Sequence, residues 1–488
     1  MLRSFTFISC CVSLSIASIS FGQSSPDVPR PIPLTRPGMK QMLEDVKARK
    51  PRIPLPELTE ADRMKLAERA ESYEARVRYH YLSGDEQWSQ MRVNLPATSV
   101  NNATALSLPH GLVPRPQDPK MTLDNGFKVE LFWIVSRANN CPYCIGHQES
   151  KLLGAGRSED RIAALDGDWS EFTPAEQVAY AFAKKYTYQP HLMNDEDISR
   201  LKKFYTEEQI IEMMLSMAWN NSINRWKEAI GVPQNVEEGG YSRMASLGTS
   251  LAGSKPQPNN LPRGSYLTPT SPEFNDKITQ VASFAASPKF GNSTAAPVCA
   301  RPSLETPEHV KQELERCRTR VARLPLVDEE TTRSLMTFMD PSDTTMPNWM
   351  RLLAHFPEEG VRRAKTVYDA DHSVDLNPLL KAQFGWIIAR NDRAWYALGE
   401  SMNRLLEQRK TEDEIFALDG DWSEFTPRER ALFQLAKSLS ASPVMLTDSD
   451  VANAVKLAGP AEVVQAINLV TQRVALDRLT EAAGLPLE

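Results

Sequence analysis

Apolar and charged positions interleave at helical spacing over long parts of this chain, and capping and breaking residues divide them into segments. Thr59 to about Leu82 reads as a helix, with Thr59 as its cap and Asp62 three residues on. Apolar density returns from Gly126 to Ser136, which predicts a further helix. Thr173-Pro174 opens the next one with Glu176 at its third position, and Asn194-Asp-Glu-Asp197 opens another. Thr206-Glu-Glu begins one more, running through Ala218-Trp219. Met213, Met214, Met217, Trp219 and Trp226 are read there as core or interface packing. Asn220, Asn224 and Arg225 are polar residues late in that helix, either lining a site or, more simply, making structural hydrogen bonds. Between these segments, residues 23–57 are rich in proline and predict an extended arm. Residues 95–120, which include a solitary His110, read as loop, and the Gly/Pro/Ser-rich residues 236–304 read as a linker.

The N-terminus has its own pattern. One arginine, Arg3, precedes an apolar run from Phe5 to Ala17 that is too short to span a bilayer. That is the build of a secretory signal over residues 1–22, cut after Gly22, and it predicts export to a periplasmic or extracellular space. No other stretch is apolar and long enough for a membrane span. The 488 residues, 41% hydrophobic and 24% charged, suit a globular protein of two or more domains. A net charge of −6 argues against nucleic acid as a partner, because such binders carry a basic excess.

Candidate chemistry concentrates in Arg137-Ala-Asn-Asn-Cys-Pro-Tyr-Cys-Ile-Gly-His147. Cys141 and Cys144 have the spacing of a reducible disulfide, and thiolate character decides the reactivity of each. Asn139, Asn140 and Pro142 look like a helix start, which places His147 one turn beyond Cys144 on the same face. A zinc half-site and a purely structural disulfide are the competing readings, although no second CxxC or histidine pair accompanies the first. Cys299 and Cys317 are the other cysteines of the mature chain, free to pair in an oxidising compartment.

The run from Glu130 to His147, Gly154 and Gly156 beyond it, Thr173-Pro-Ala-Glu176, Asn194-Asp-Glu-Asp197 and Asn220-Asn-Ser-Ile-Asn-Arg225 resemble the carboxymuconolactone decarboxylase/alkylhydroperoxidase family over about residues 120–235. The resemblance implies an all-α fold and a thiol peroxidase that needs no metal or organic cofactor. It implies that Cys144 is peroxidatic and Cys141 resolving, with His147 and Glu130 in proton relay. His147 follows Cys144 by three residues where the family has four, and Glu130 stands one residue nearer Cys141 than in the family. A hydroperoxide, an external reductant and a homo-oligomeric assembly would be the partners. A disulfide oxidoreductase, a lactone decarboxylase and a non-enzymatic binding or scaffold protein are the alternatives.

The eleven residues Ala-Leu-Asp-Gly-Asp-Trp-Ser-Glu-Phe-Thr-Pro occur at 164–174 and again at 417–427, an offset of 253 (417 − 164). At that offset Arg225-Trp-Lys-Glu-Ala-Ile-Gly-Val-Pro233 meets Arg478-Leu-Thr-Glu-Ala-Ala-Gly-Leu-Pro486, so the chain is an internal duplication. The expected organisation is a domain over 58–235 and a second copy over 305–488, two tandem helical bundles. In the second copy Cys141, Cys144, His147 and Glu130 become Ala394, Ala397, Glu400 and Gln383. Four chemical residues change together while packing residues stay, which sets them apart as one functional unit. Arg393 and Trp395, new at the old site, mark where a separate binding role of the copy would lie.

Overall fold

The structure, a computed structural model, describes residues 31–83, 118–234, 265–275, 304–341 and 345–488, with the backbone of 93–94 and 114–115. The proposed signal, His110, Cys299 and most of the linker lie outside the described residues. Apart from a two-residue parallel pairing of Val93-Asn94 with Pro114-Arg115, the described secondary structure is helical. The chain is therefore all-α, as expected.

In chain order the helices are α1 (Arg36–Asp45), α2 (Glu60–Leu66), α3 (Tyr73–Tyr81), α4 (Asn125–Ala138), α5 (Pro142–Gly154), α6 (Glu159–Ala164), α7 (Pro174–Tyr188), α8 (Asp195–Leu201) and α9 (Glu207–Ile230). They continue as α10 (Pro307–Thr319), α11 (Glu329–Leu335), α12 (Asn348–Leu353), α13 (Glu359–His372), α14 (Pro378–Asp392) and α15 (Trp395–Glu407). The last are α16 (Glu412–Phe416), α17 (Pro427–Ser440), α18 (Asp448–Ala458) and α19 (Pro460–Ala483).

Local sequence explains most of the boundaries. Thr59, Thr173, Asn194 and Thr206 each close a capping box, the side chain accepting from the third helical N–H while the residue there answers the cap's own N–H. Gly231 and Gly484 end α9 and α19 in the left-handed conformation that glycine adopts without a Cβ penalty. Helices α4 to α9 begin 253 residues before α14 to α19, one for one. Four of the positive-φ non-glycine residues also fall in register, Asn140 with Arg393 and Trp169 with Trp422.

The proline-rich arm differs from expectation. Residues 36–45 are helical, Pro37 suits the first turn, and Met39 and Leu43 are buried in the core. This segment has its own counterpart at an offset of 271 (323 − 52). Arg52 N–H donates to the Ile230 carbonyl as Arg323 N–H donates to that of Ala483, and Gln234 N–H meets the Val46 carbonyl as Leu487 N–H meets that of Cys317. Lys40-Gln41, Leu43-Glu44, Arg49 and Arg52-Ile-Pro-Leu55 recur as Lys311-Gln312, Leu314-Glu315, Arg320 and Arg323-Leu-Pro-Leu326. The arm is thus an integral layer over α5, as α10 is over α15. Part of the linker, Tyr266 to Asn275, also packs here, with Lys40 bonded to the Thr268 carbonyl and Ser271 to Asp160.

The halves join along α9 and α19, helices buried along most of their length. Each carries a fully buried arginine that crosses to the other half. Arg225 donates to the carbonyls of Ser440 and Ala441 and to Ser442 Oγ, while Arg478 donates to the Thr187 carbonyl and to the same Ser442 Oγ. Thr187 and Ser440 are themselves 253 apart, so the contact is reciprocal. Near the surface, Arg52 pairs with Asp448 at 2.6 Å and Arg323 with Asp195 at 2.9 Å, again reciprocally.

Burial decides which of these ion pairs matters for stability. Arg478 and Asp392 pair at 2.8 Å out of solvent, and removing one partner strands a charge. Asp392→Ala is expected to cost about 3–5 kcal/mol. Asp448→Ala, whose carboxylate is largely exposed, should cost under about 1 kcal/mol. Urea unfolding of the two variants checks that ordering.

Candidate functional site

The thiol site is built on the reversal between α4 and α5. Asn139 is the C-cap of α4, and Asn140 takes a left-handed φ of 60° that turns the chain. Cys141 is the N-cap of α5, with Pro142 at its first position. The cap is therefore the cysteine itself and not the asparagines before it. Cys141 Sγ accepts the N–H of Cys144 at 3.3 Å, a donor the helix start would otherwise leave unpaired. Cys141 and Cys144 are joined as a disulfide with Cα atoms 5.3 Å apart. Cys141 is fully buried and Cys144 is 2% exposed.

A polar network beneath the turn fixes its shape. Cys141 N–H donates to the Ser136 carbonyl at 3.0 Å. The Asn139 side chain donates to Asn221 and Asn224 and accepts from Arg225 at 2.9 Å, and Asn224 donates to Ser136 Oγ. The late polar residues of α9 are thus structural, holding the turn without touching the sulfurs. From above, Ile32 N–H donates to Asn140 Oδ1 at 2.7 Å, so the N-terminal arm straps the turn. Tyr266 closes over Gly146, where a Cβ would fall 2.9 Å from the tyrosine hydroxyl. From the second half, Val444 N–H donates to the Asn139 carbonyl.

His147 lies on α5 one turn beyond Cys144, half-buried, with its ring stacked on Tyr143 at a centroid distance of 6.2 Å. On the other side Lys227 lies 5.0 Å from the Tyr143 centroid and pairs with Glu74. Burial, then the positive charges of Lys151 and Lys227, hold the His147 imidazole well below its usual pKa. It is neutral at pH 7, able to accept a proton.

Glu130 is not brought to this site. Because the chain reverses at Asn140, α5 runs back along α4, and Trp133 Nε1 meets Glu149 at 3.4 Å. Glu130 is nearly a turn further from the thiols and meets the segment beyond the end of α5. It is 1% exposed and accepts from Arg157 Nε and Arg161 Nε at 2.9 Å each and from the Tyr180 hydroxyl at 2.7 Å. The proton-relay role expected of Glu130 is therefore corrected to an ion-pair anchor. Sequence offered an exposed charge or a base, and nothing in it pointed to two later arginines.

The shared Asp-Gly-Asp-Trp block has a packing role in both halves. Asp166 pairs with Arg137 and Asp419 with Arg390, while Trp169 and Trp422 each donate to the carbonyl four residues earlier at 2.7 Å. Cys317 is a buried free thiol. Among the described residues no cluster of three or more His, Cys, Asp or Glu could hold a metal ion, and no helix is long and apolar enough to cross a membrane.

No protein-family model matches the chain. A stretch of 101 residues is 33% identical to "Uncharacterized protein YdfG" of Bacillus subtilis (strain 168), covering 20% of this chain and 68% of that protein.

This geometry has two measurable consequences. A His147 pKa below the unfolded value near 6.5 means its contribution to stability is complete above that pH and is lost as pH falls toward the folded pKa. The His147 ring resonances should therefore not titrate between pH 8 and 6.5, and His147→Gln should flatten the loss of stability below pH 6.5. Glu130→Gln should lower stability by about 1–3 kcal/mol, as a charge-assisted network loses its anion, while leaving the rate of thiol oxidation within about twofold.

Proposed function

The chain belongs to one family with that Bacillus subtilis protein, whose name assigns no activity, and we propose from the site itself that it is a thiol-dependent peroxidase. The observation that carries this reading is the Cys141–Cys144 disulfide at a helix start, with a neutral imidazole one turn along the same face. The resemblance of the Glu130–His147 stretch to alkylhydroperoxidases supports the peroxide as acceptor. Burial of both sulfurs favours a small hydroperoxide.

In the reduced protein, His147 takes the proton of Cys144, and the thiolate attacks the distal peroxide oxygen. The O–O bond breaks, Cys144 becomes a sulfenic acid, and the departing alkoxide or hydroxide receives the proton from His147. Cys141 then attacks the sulfenic sulfur, forming the disulfide and releasing water. An external dithiol returns two electrons and two protons. The signal at residues 1–22 would place this cycle outside the cytoplasm, with a reductant able to reach it there.

A second reading has its own observation. The Cys144 N–H aimed at Cys141 Sγ would stabilise a thiolate on Cys141, as suits a disulfide oxidoreductase attacking protein disulfides. Counting thiols before and after one equivalent of hydroperoxide, with sulfenic-acid trapping, separates the two. For a peroxidase, both thiols are lost rapidly and Cys141→Ser traps a sulfenic acid on Cys144. Cys144→Ser forms none, and His147→Gln slows the reaction about 10²–10⁴-fold. Thiol loss no faster than in an unfolded control sinks the peroxidase reading.

A further inference from the structure

The duplication supplies a comparison at the residue beside the thiols. In the second half, Arg478 is paired with a carboxylate, Asp392. In the first half the equivalent of Asp392 is Asn139, and the equivalent arginine, Arg225, has only neutral acceptors among the described residues. Both guanidiniums are fully buried, and both converge on Ser442 Oγ, Arg225 at 2.6 Å and Arg478 at 2.8 Å.

The other charged groups facing Arg225 are Asp392, Asp477 and Arg478. Asp392 is engaged by Arg478 at 2.8 Å. Asp477 is buried with neither carboxylate oxygen hydrogen-bonded. Burial and the neighbouring Asp392 raise its pKa well above the usual carboxylate value. Arginine stays charged when buried. Arg478 thus has a carboxylate as a hydrogen-bond partner and Arg225 has none among the described residues. Arg225 lies on the Asn139 side of the cluster, and Asn139 is two residues from Cys141 and braced to the same turn.

We propose that Arg225, left without a carboxylate partner because Asn139 stands where the other half has an aspartate, is a positioning residue that sets the redox poise of the Cys141–Cys144 pair through its field. A positive charge beside a dithiol stabilises the thiolate and so the reduced form, which makes the disulfide more oxidising. The degenerate half then has a role at the intact site: its Ser440–Ser442 carbonyls and hydroxyl hold the guanidinium there with neutral groups. This inference rests on the redox reading of the site.

The test is a reduction-potential titration of the full-length protein in dithiothreitol buffers, with thiolate formation followed by ultraviolet absorbance. Asn139→Asp recreates the pair that α14 and α19 already accommodate. It is expected to lower the equilibrium constant for oxidising a reference dithiol about tenfold, about 30 mV, and to move thiolate formation to higher pH. Arg225→Gln should act in the same direction, and Arg225→Lys should restore the wild-type potential. Asn139→Ala removes the network without adding charge and should leave that equilibrium constant within about twofold. A potential unmoved by Asn139→Asp and Arg225→Gln overturns the inference while the redox reading stands. Equal shifts in Asn139→Ala and Asn139→Asp overturn it too, as a shape effect. A wild-type disulfide that no buffer reduces short of unfolding overturns both.

Discussion

Two buried guanidiniums at the junction of α9 and α19 constrain this molecule more than any other contact. A guanidinium carries five N–H donors and cannot shed its charge, so burial requires acceptors on nearly every side. Arg225 and Arg478 complete their sets by reaching into the opposite half. Each also accepts the geometry of its own α4–α5 or α14–α15 reversal, through Asn139 and Asp392. The interface and the two reversals are therefore one structure. The thiol turn inherits its shape in part from a contact with the half that lacks the thiol pair.

The same constraint explains which residues the copies share. Gly231 and Gly484, Thr173 and Thr426, and the two arginines are kept in both copies, where they satisfy backbone groups or place a buried charge. Cys141, Cys144 and His147 are replaced in the copy by two alanines and a glutamate, and α15 starts without the side-chain cap that Cys141 gives α5. Glu400, at the place of His147, has been absorbed into contacts with Arg473. Asp477 is the residue that fits least well. Its equivalent Asn224 donates to Ser136, which has become Ala389, so the carboxylate keeps its burial without the partner.

Helix starts were legible in the sequence because a capping box is decided within four residues, and Thr59, Thr173, Asn194 and Thr206 all cap where they were expected. The thiol pair and its imidazole were legible for the same reason. The arm was not, because proline content signals an extended chain locally, whereas Met39 and Leu43 become helical by burying against α5. Its repeat also sits at an offset of 271 and not 253, so a search in a single register passes over it. Glu130 was misplaced for another reason. Helical periodicity assigns it a face, but Arg157 and Arg161 reach it only after the chain has reversed and run past it.

What distinguishes the intact repeat is therefore mostly a matter of charge. The scaffold around Cys141 and Cys144 is matched in the other half by an equally ordered scaffold around two alanines. The strap that sends Ile32 N–H to Asn140 is likewise answered by Glu305 holding Arg393. One turn is closed by a neutral amide and the other by a carboxylate-bound cation. Closing a turn with an ion pair costs a thiol nothing where no thiol exists. Beside Cys141 it would pair off the Arg225 charge that favours a negative sulfur. Asparagine at 139 keeps the hydrogen bonds of that turn and omits the charge.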